Sequence, residues 1–300
     1  MTTPKAFKNL LFVLNPISGD IGKEEVQELI SDFCRQNHCH YQVYLTTGEQ
    51  DAPALALLVA KNDPDVVVAV GGDGTVSLVA QVLNHGRTPL AIIPLGSGNG
   101  LSKDLGIPQD LDAAVHLLKT GQIRAIDSLD ILGHTVFHLA DLGFNARIVK
   151  IFCEGETRGP GTYARIAFQE YLKYEPFQYK IITDQETFEG PAFMLTIANA
   201  NAFGSNAAIN PDGVVDDGFF EICLLEPFPK TAALGILINL YTDTIQKSVY
   251  SRILKCRQAT IYKQPDDVIQ IDGEPVTLGH ELQVRLHRQS LQVLVPDARY

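Results

Sequence analysis

The chain has 300 residues, 45% hydrophobic and 20% charged, which is enough apolar material for more than one core. A net charge of −11 excludes a nucleic-acid binder that works by neutralising phosphates, and it disfavours adhesion to anionic bilayers by charge alone. Five scattered cysteines, Cys34, Cys39, Cys153, Cys223 and Cys256, form no C-x-x-C pair, so neither a disulfide framework nor a cysteine zinc site is expected, and a cytoplasmic setting fits.

Along the chain, Leu10 to Leu14 is a compact apolar run ending in Asn15-Pro16. It is too short for the core of a signal peptide and reads as a buried first strand. Val26, Leu29, Ile30 and Phe33 follow at helical spacing; Tyr41 to Leu45 is strand-like and stops at Thr46; Ala54 to Val59 continues as helix. Val66 to Val70 is β-branched apart from Ala69 and predicts a strand buried on both faces. Val76, Val79, Ala80 and Leu83 repeat the helical period, and Leu90 to Ile93 is the next strand. Strands and helices alternating at this rhythm predict a doubly wound α/β domain with a parallel sheet over residues 1–125.

The pattern changes near Gly121. Short strands then dominate, at Ile126–Leu132, Val136–Ala140, Tyr179–Thr183, Phe193–Ala198 and Phe219–Leu225. Near the end, Leu282, Val284 and Leu286 alternate on one face and Leu291, Val293 and Val295 on another. Helices are expected around Tyr163–Tyr171 and Thr231–Tyr241. Residues 126–300 therefore predict a mainly antiparallel β-sandwich domain, with a last segment free to pack back on the first domain. The apolar stretch AALGILINL is far below the roughly 20 residues that a bilayer span needs, so no transmembrane segment is expected.

The loops carry the chemical signal. In an open parallel sheet, ligands bind beyond the carboxyl ends of the strands. Gly71-Gly72-Asp73-Gly74-Thr75 follows the Val66–Val70 strand, and Pro94-Leu95-Gly96-Ser97-Gly98-Asn99-Gly100 follows the next; each leads into a helix. Glycines let a phosphate approach the backbone, and a helix N-terminus attracts it. Asp73, itself anionic, would bind Mg²⁺ or orient a nucleophile. The alternative is ordinary turn chemistry. There is no G-x-x-x-x-G-K-[ST], no G-x-G-x-x-G opening the first helix and no G-x-S-x-G, which sets aside Walker-type NTPases, Rossmann dehydrogenases and serine hydrolases.

VVVAVGGDGTVSLVAQVL, from Val66 to Leu83, resembles the nucleotide loop of the diacylglycerol kinase catalytic-domain family, which includes bacterial YegS-like lipid kinases and sphingosine kinases. NPISG, PLGSGNGLSKDLGIP, INPDGVVDDGFFEI and IDGEP are similar to further blocks of that family, in its order. The resemblance implies an NAD kinase-like α/β domain followed by a β-sandwich, with the site in the cleft between them. It implies an ATP- and Mg²⁺-dependent kinase of a lipid hydroxyl, working peripherally and transiently at a membrane surface, in phospholipid metabolism, and compatible with a homodimer. Carried over by position, the nucleotide site comprises Asn15, Pro16, Ser18, Gly19, Thr46, Gly71, Gly72, Asp73, Gly74, Thr75, Ser97 and Asn99. Glu274 matches the family's general base, beside the plainer reading of a solvated hairpin residue after Asp272-Gly273. Asp217, with the carbonyls of Val214 and Phe219, matches a structural Mg²⁺ site of bacterial members, or is simply a turn. Where many bacterial members read P-x-G-T-x-N-D, this chain has Ser97 and Gly100, nearer the sphingosine-kinase form. The acceptor therefore stays open among diacylglycerol, phosphatidylglycerol and sphingoid lipids. A kinase of a soluble acceptor such as NAD, and a non-catalytic nucleotide- or lipid-binding protein, are the alternatives.

Overall fold

The computed structural model describes residues 7–16, 23–155, 160–203, 206–265 and 267–297. The chain divides into two compact units, residues 1–126 with 289–300, and residues 127–288.

The first unit runs β1 (Asn9–Leu14), α1 (Lys23–Asn37), β2 (His40–Leu45), α2 (Asp51–Asn62), β3 (Val66–Gly71), α3 (Asp73–Leu83), β4 (Leu90–Pro94), α4 (Gly100–Asp104) and α5 (Leu111–Thr120). The strands form a parallel sheet in the order β2-β1-β3-β4. Every residue of β3 is buried, as expected of a β-branched run in the middle of a parallel sheet. Each such valine contributes on the order of 1.5–3 kcal/mol by leaving water. Because all four strands are parallel, their carboxyl ends share one edge. The order reverses between β1 and β3, the type of crevice at which open sheets bind ligands.

β5 (Gln122–Ile131) leads into the second unit. There follow β6 (His134–Val136), β7 (Leu139–Gly143), α6 (Phe144–Glu154), α7 (Pro160–Tyr171), β8 (Phe177–Thr183), β9 (Thr187–Ala192), β10 (Met194–Ala198), β11 (Phe220–Leu225), α8 (Ala233–Tyr241), β12 (Ser251–Cys256), β13 (Gln258–Tyr262), β14 (Ile269–Ile271), β15 (Glu274–Val276) and β16 (Glu281–Val295). One antiparallel sheet orders β12-β11-β10-β7-β14-β15. In the other, β13 lies between β8 and the first residues of β16, and β8 pairs with β9. Leu142, Ile197, Ile222 and Leu224 from one sheet and Ile181, Ile261, Leu282 and Val284 from the other fill the layer between them, an antiparallel β-sandwich. The opposite face of the six-stranded sheet is also covered. Cys223 and Leu225 point there and pack with Met194 and Ile236, which explains why all of β11 is buried.

Two expectations needed revision. The Val136–Ala140 strand is the end of β6 and the start of β7, separated at Phe137-His138, whose N–H groups leave the ladder for the Asp272 carboxylate. The two alternating runs at the end are one 15-residue strand, β16. Gln289 takes a positive φ of 49° within it, and burial changes from alternate residues, 282 and 284, to nearly every residue of 290–295, Gln292 alone being partly exposed. The chain returns to the first unit at that residue, where Val293 pairs with Leu90 of β4.

Candidate active site

The carboxyl ends of the first unit's strands are tied together by backbone bonds that carry the ladder into the loops. Thr46 N–H donates to Leu14 O at 3.0 Å, Asn15 N–H to Val70 O at 3.3 Å, and Leu95 N–H to Gly71 O at 2.9 Å. Gly72 caps α3, its carbonyl accepting from Thr75 and Val76 at 3.0 and 3.1 Å.

The two glycine loops touch through bare backbone. A Cβ on Gly96 would lie 2.6 Å from Gly72 Cα and 2.7 Å from Asn99 Oδ1, a fit that any side chain would break. Asn99, buried and with φ 56°, closes its own loop. Its Oδ1 accepts from Gly96 N at 3.0 Å, while Nδ2 donates to Gly96 O at 2.7 Å and to Gln109 Oε1 at 3.1 Å. Asp73 joins the loops electrostatically: Oδ2 accepts from Asn99 N at 2.9 Å and Oδ1 from Gly100 N at 2.7 Å, so the carboxylate caps the α4 turn from the neighbouring strand end.

Gly71, Gly72, Asp73, Gly74, Thr75, Ser97 and Asn99 thus form one cluster, with Asn15 and Thr46 at the adjoining strand ends. Thr75 is buried, Ser97 and Gly74 are exposed, and Pro16 is exposed after β1. Ser18 and Gly19 lie outside the described residues. No acceptor for the N–H groups of Gly74 and Ser97 is found among the described residues. This donor set, with no Cβ in the way and a helix N-terminus behind, fits a phosphate group. Asp73 is built in as a tie between loops, a role that sequence reasoning did not see.

Beside Thr46, Asp51 closes the loop after β2 by accepting from Thr47 N (3.0 Å), Gly48 N (2.8 Å) and Tyr44 OH (2.7 Å). Burial works against its charge, yet these donors outweigh burial and hold its pKa below the ordinary carboxylate value. Asp51 was also missed; a carboxylate at a helix start, three residues after a glycine, was the available signal.

In the second unit, Glu274 opens β15 directly after the turn at Asp272 and Gly273, both with positive φ (47° and 93°), the geometry of a type I′ hairpin. Its side chain is exposed and has no polar partner among the described residues. The turn beneath it is clamped twice. Asp272 accepts from Phe137 N (3.0 Å), His138 N (3.0 Å) and Leu139 N (3.1 Å), and removal from water nevertheless raises its pKa above the usual carboxylate value. Gln270 Oε1 accepts from Gly273 N at 2.6 Å, and its Nε2 donates to the buried Asp141. Asp141 also accepts from Thr196 OH and from Asn145 Nδ2, and burial pushes its pKa up. Gln270, Asp272 and Asp141 had gone unassigned, because their partners lie on distant strands.

The expected metal ligands have a different arrangement. Asp217 Oδ2 is 2.6 Å from Lys255 Nζ, and Oδ1 accepts from Phe219 N at 2.9 Å. Lys255 also reaches Glu221 at 3.2 Å, and the bond to Asp217 raises its pKa. An ammonium therefore stands where a divalent cation's charge would be. The Val214–Asp217–Phe219 set as built does not fit a resident Mg²⁺.

This two-unit architecture has close counterparts. Residues 9–131 match the model of the diacylglycerol kinase catalytic domain, and residues 140–295 that of the YegS C-terminal NAD kinase β-sandwich-like domain. The chain belongs to the diacylglycerol kinase catalytic-domain family and is, by that membership, an enzyme of the lipid-kinase class. Within the family its second domain is of the YegS type. It is 26% identical to a Stenotrophomonas maltophilia protein named as a probable YegS-like lipid kinase, over 92% of this chain and 91% of that one. It is likewise 26% identical to a diacylglycerol kinase of Staphylococcus haemolyticus, over 87% and 81%. A crystal structure of a diacylglycerol kinase from Bacillus anthracis has the same fold, with a TM-score of 0.75 at 19% identity and coverage of 99% and 100%.

Proposed function

We propose that this protein transfers the γ-phosphoryl group of ATP, taken up as its Mg²⁺ complex, to the hydroxyl of a membrane lipid. The observation that carries the reading is the pair of glycine loops at the ends of β3 and β4, tied by the Asp73 carboxylate to Asn99 and Gly100. Such a pair offers backbone donors to a triphosphate without a lysine. Phosphoryl transfer consists largely of positioning and charge stabilisation, so donors held rigidly by a neighbouring carboxylate suit it. Mg²⁺ brought in with the nucleotide would offset part of the phosphate charge. Asn15 and Thr46 contribute at the adjoining strand ends, and Ser97 supplies a hydroxyl. Glu274 takes the proton of the attacking lipid hydroxyl. Support for that role is its exposed carboxylate on a turn that Asp272 and Gln270 hold still. The acceptor is a lipid of diacylglycerol, phosphatidylglycerol or sphingoid type. Transfer of label from γ-labelled ATP, with Mg²⁺, to mixed micelles of diacylglycerol, phosphatidylglycerol, sphingosine and ceramide tests this, with NAD in parallel. Label in one of the lipids is expected. Label in NAD alone would make the protein a kinase of a soluble acceptor, and ATP binding without transfer would make it a binding protein.

A further inference from the structure

Helix α8 is apolar on the side that faces away from the protein. Ala233–Tyr241 carries no charged residue, and only Ile236 is buried, packed in the layer on the six-stranded sheet. Leu234, Leu237, Ile238 and Tyr241, at i, i+3, i+4 and i+7, are 68%, 50%, 53% and 54% exposed, so they form one continuous outward stripe. A helix that is hydrophobic all round is normally buried; this one is covered on one side only.

The end of helix α7 approaches the segment that leads into α8. Tyr171 stacks on Phe228, just ahead of α8, with ring centroids 6.3 Å apart. Helix α7 adds an exposed Phe168. The local charge differs from that of the whole chain. Residues 230–247 hold Lys230 and Lys247 against Asp243, and residues 160–173 hold Arg165 and Lys173 against Glu170, so each segment is +1 where the chain as a whole is −11.

We infer that the outward stripe of α8 is the surface by which this protein lies on a lipid bilayer. Apolar side chains enter the headgroup boundary while the flanking cations face anionic lipid phosphates. No described helix is long and apolar enough to cross a membrane. The inference rests on the lipid-kinase reading and names the face that such a reaction requires.

The chain contains no tryptophan, so Leu237→Trp introduces a single reporter on the stripe. With vesicles of phosphatidylcholine and phosphatidylglycerol its emission is expected to shift to the blue and to be quenched by brominated acyl chains. A variant combining Leu234→Gln, Leu237→Gln and Ile238→Gln alters exposed side chains only and is expected to keep the wild-type melting temperature. Its co-sedimentation with those vesicles is expected to fall at least about tenfold. It should still phosphorylate a short-chain diacylglycerol in free solution at the wild-type rate, yet lose activity on vesicles. Wild-type vesicle binding by the triple variant, with soluble-substrate activity intact, would overturn the docking face and leave the kinase reading standing. A blue shift that needs no vesicles and grows with protein concentration would also overturn it, in favour of a second copy of the chain. Vesicle binding that is lost in the triple variant, in a protein that phosphorylates no lipid in either form, would keep the face and remove the kinase reading.

Discussion

Asp73 and Gly100, 27 residues apart in sequence, are joined by a 2.7 Å bond from the Gly100 N–H to the Asp73 carboxylate. The other oxygen of Asp73 takes the Asn99 N–H. On the proposed reading an aspartate here is electrostatically awkward, since it would repel the phosphate that the loop is to hold. Here its charge is met by two backbone dipoles, and what it provides is registration of one loop against the other. Asp73→Asn would turn an amide NH₂ or a weaker acceptor toward those donors. We predict a loss of at least about 100-fold in kcat/KM, the scale of a misplacement on the order of 1 Å, with a raised KM for ATP. An unchanged KM with a depressed kcat would point to a direct chemical role instead.

Gly96→Ala is predicted to separate the loops, because its Cβ would meet Gly72 Cα at 2.6 Å and backbone has nowhere to go. Overpacking of this kind costs about 1–3 kcal/mol, visible in urea melts, and ATP affinity should fall with it. A variant with wild-type ATP affinity would separate the loop contact from nucleotide binding.

Glu274→Gln is predicted to lower kcat by about 100-fold or more while leaving the KM for ATP unchanged, the signature of a lost general base. Gln270→Leu, which frees Gly273 N and removes one donor from Asp141, should lower kcat in the same direction and also destabilise the fold by about 1–3 kcal/mol. Steady-state kinetics beside melting curves check both; a wild-type rate for Glu274→Gln removes it from the mechanism.

Asp51 makes stability depend on pH. Its folded pKa lies below its unfolded value, so its contribution is present above the unfolded pKa and is lost as pH falls through the folded one. Asp51→Asn should destabilise by about 1–3 kcal/mol at neutral pH, because Thr47 and Gly48 lose a charged acceptor. The gap to wild type should close as pH falls below about 4. Denaturant melts at neutral and acid pH measure it, and an equal gap at both would show that charge is not the cause.

Asp217 is neutralised by Lys255, so chelation of divalent ions should not change the melting temperature of nucleotide-free protein. Lys255→Met should lower stability by about 1 kcal/mol or less, as expected of a partly exposed pair. A fall in melting temperature on chelation, restored by Mg²⁺, would show a resident metal after all.

The parts of this molecule legible in the sequence were those with local causes. The β-branched run at Val66–Val70 became a wholly buried strand, and glycine-dense segments after β3 and β4 became two loops in contact, because period and turn chemistry act within a few residues. What stayed hidden depends on partners far along the chain. Nothing near Asp73 signals Gly100, and nothing near Asp272 signals Phe137. The ladder break at Phe137-His138 and the change at Gln289 from one buried face to two are likewise consequences of tertiary contacts and a single backbone angle, neither of which hydrophobic alternation records.

The central claim is that the β3 and β4 loops together hold the triphosphate. Hydrogen exchange of the backbone amides, followed with and without Mg²⁺ and a non-hydrolysable ATP analogue, tests it most directly. Slowed exchange at both Gly71–Thr75 and Ser97–Gly100 is the result expected. Protection at only one of these loops, or at neither while the analogue demonstrably binds, would contradict it.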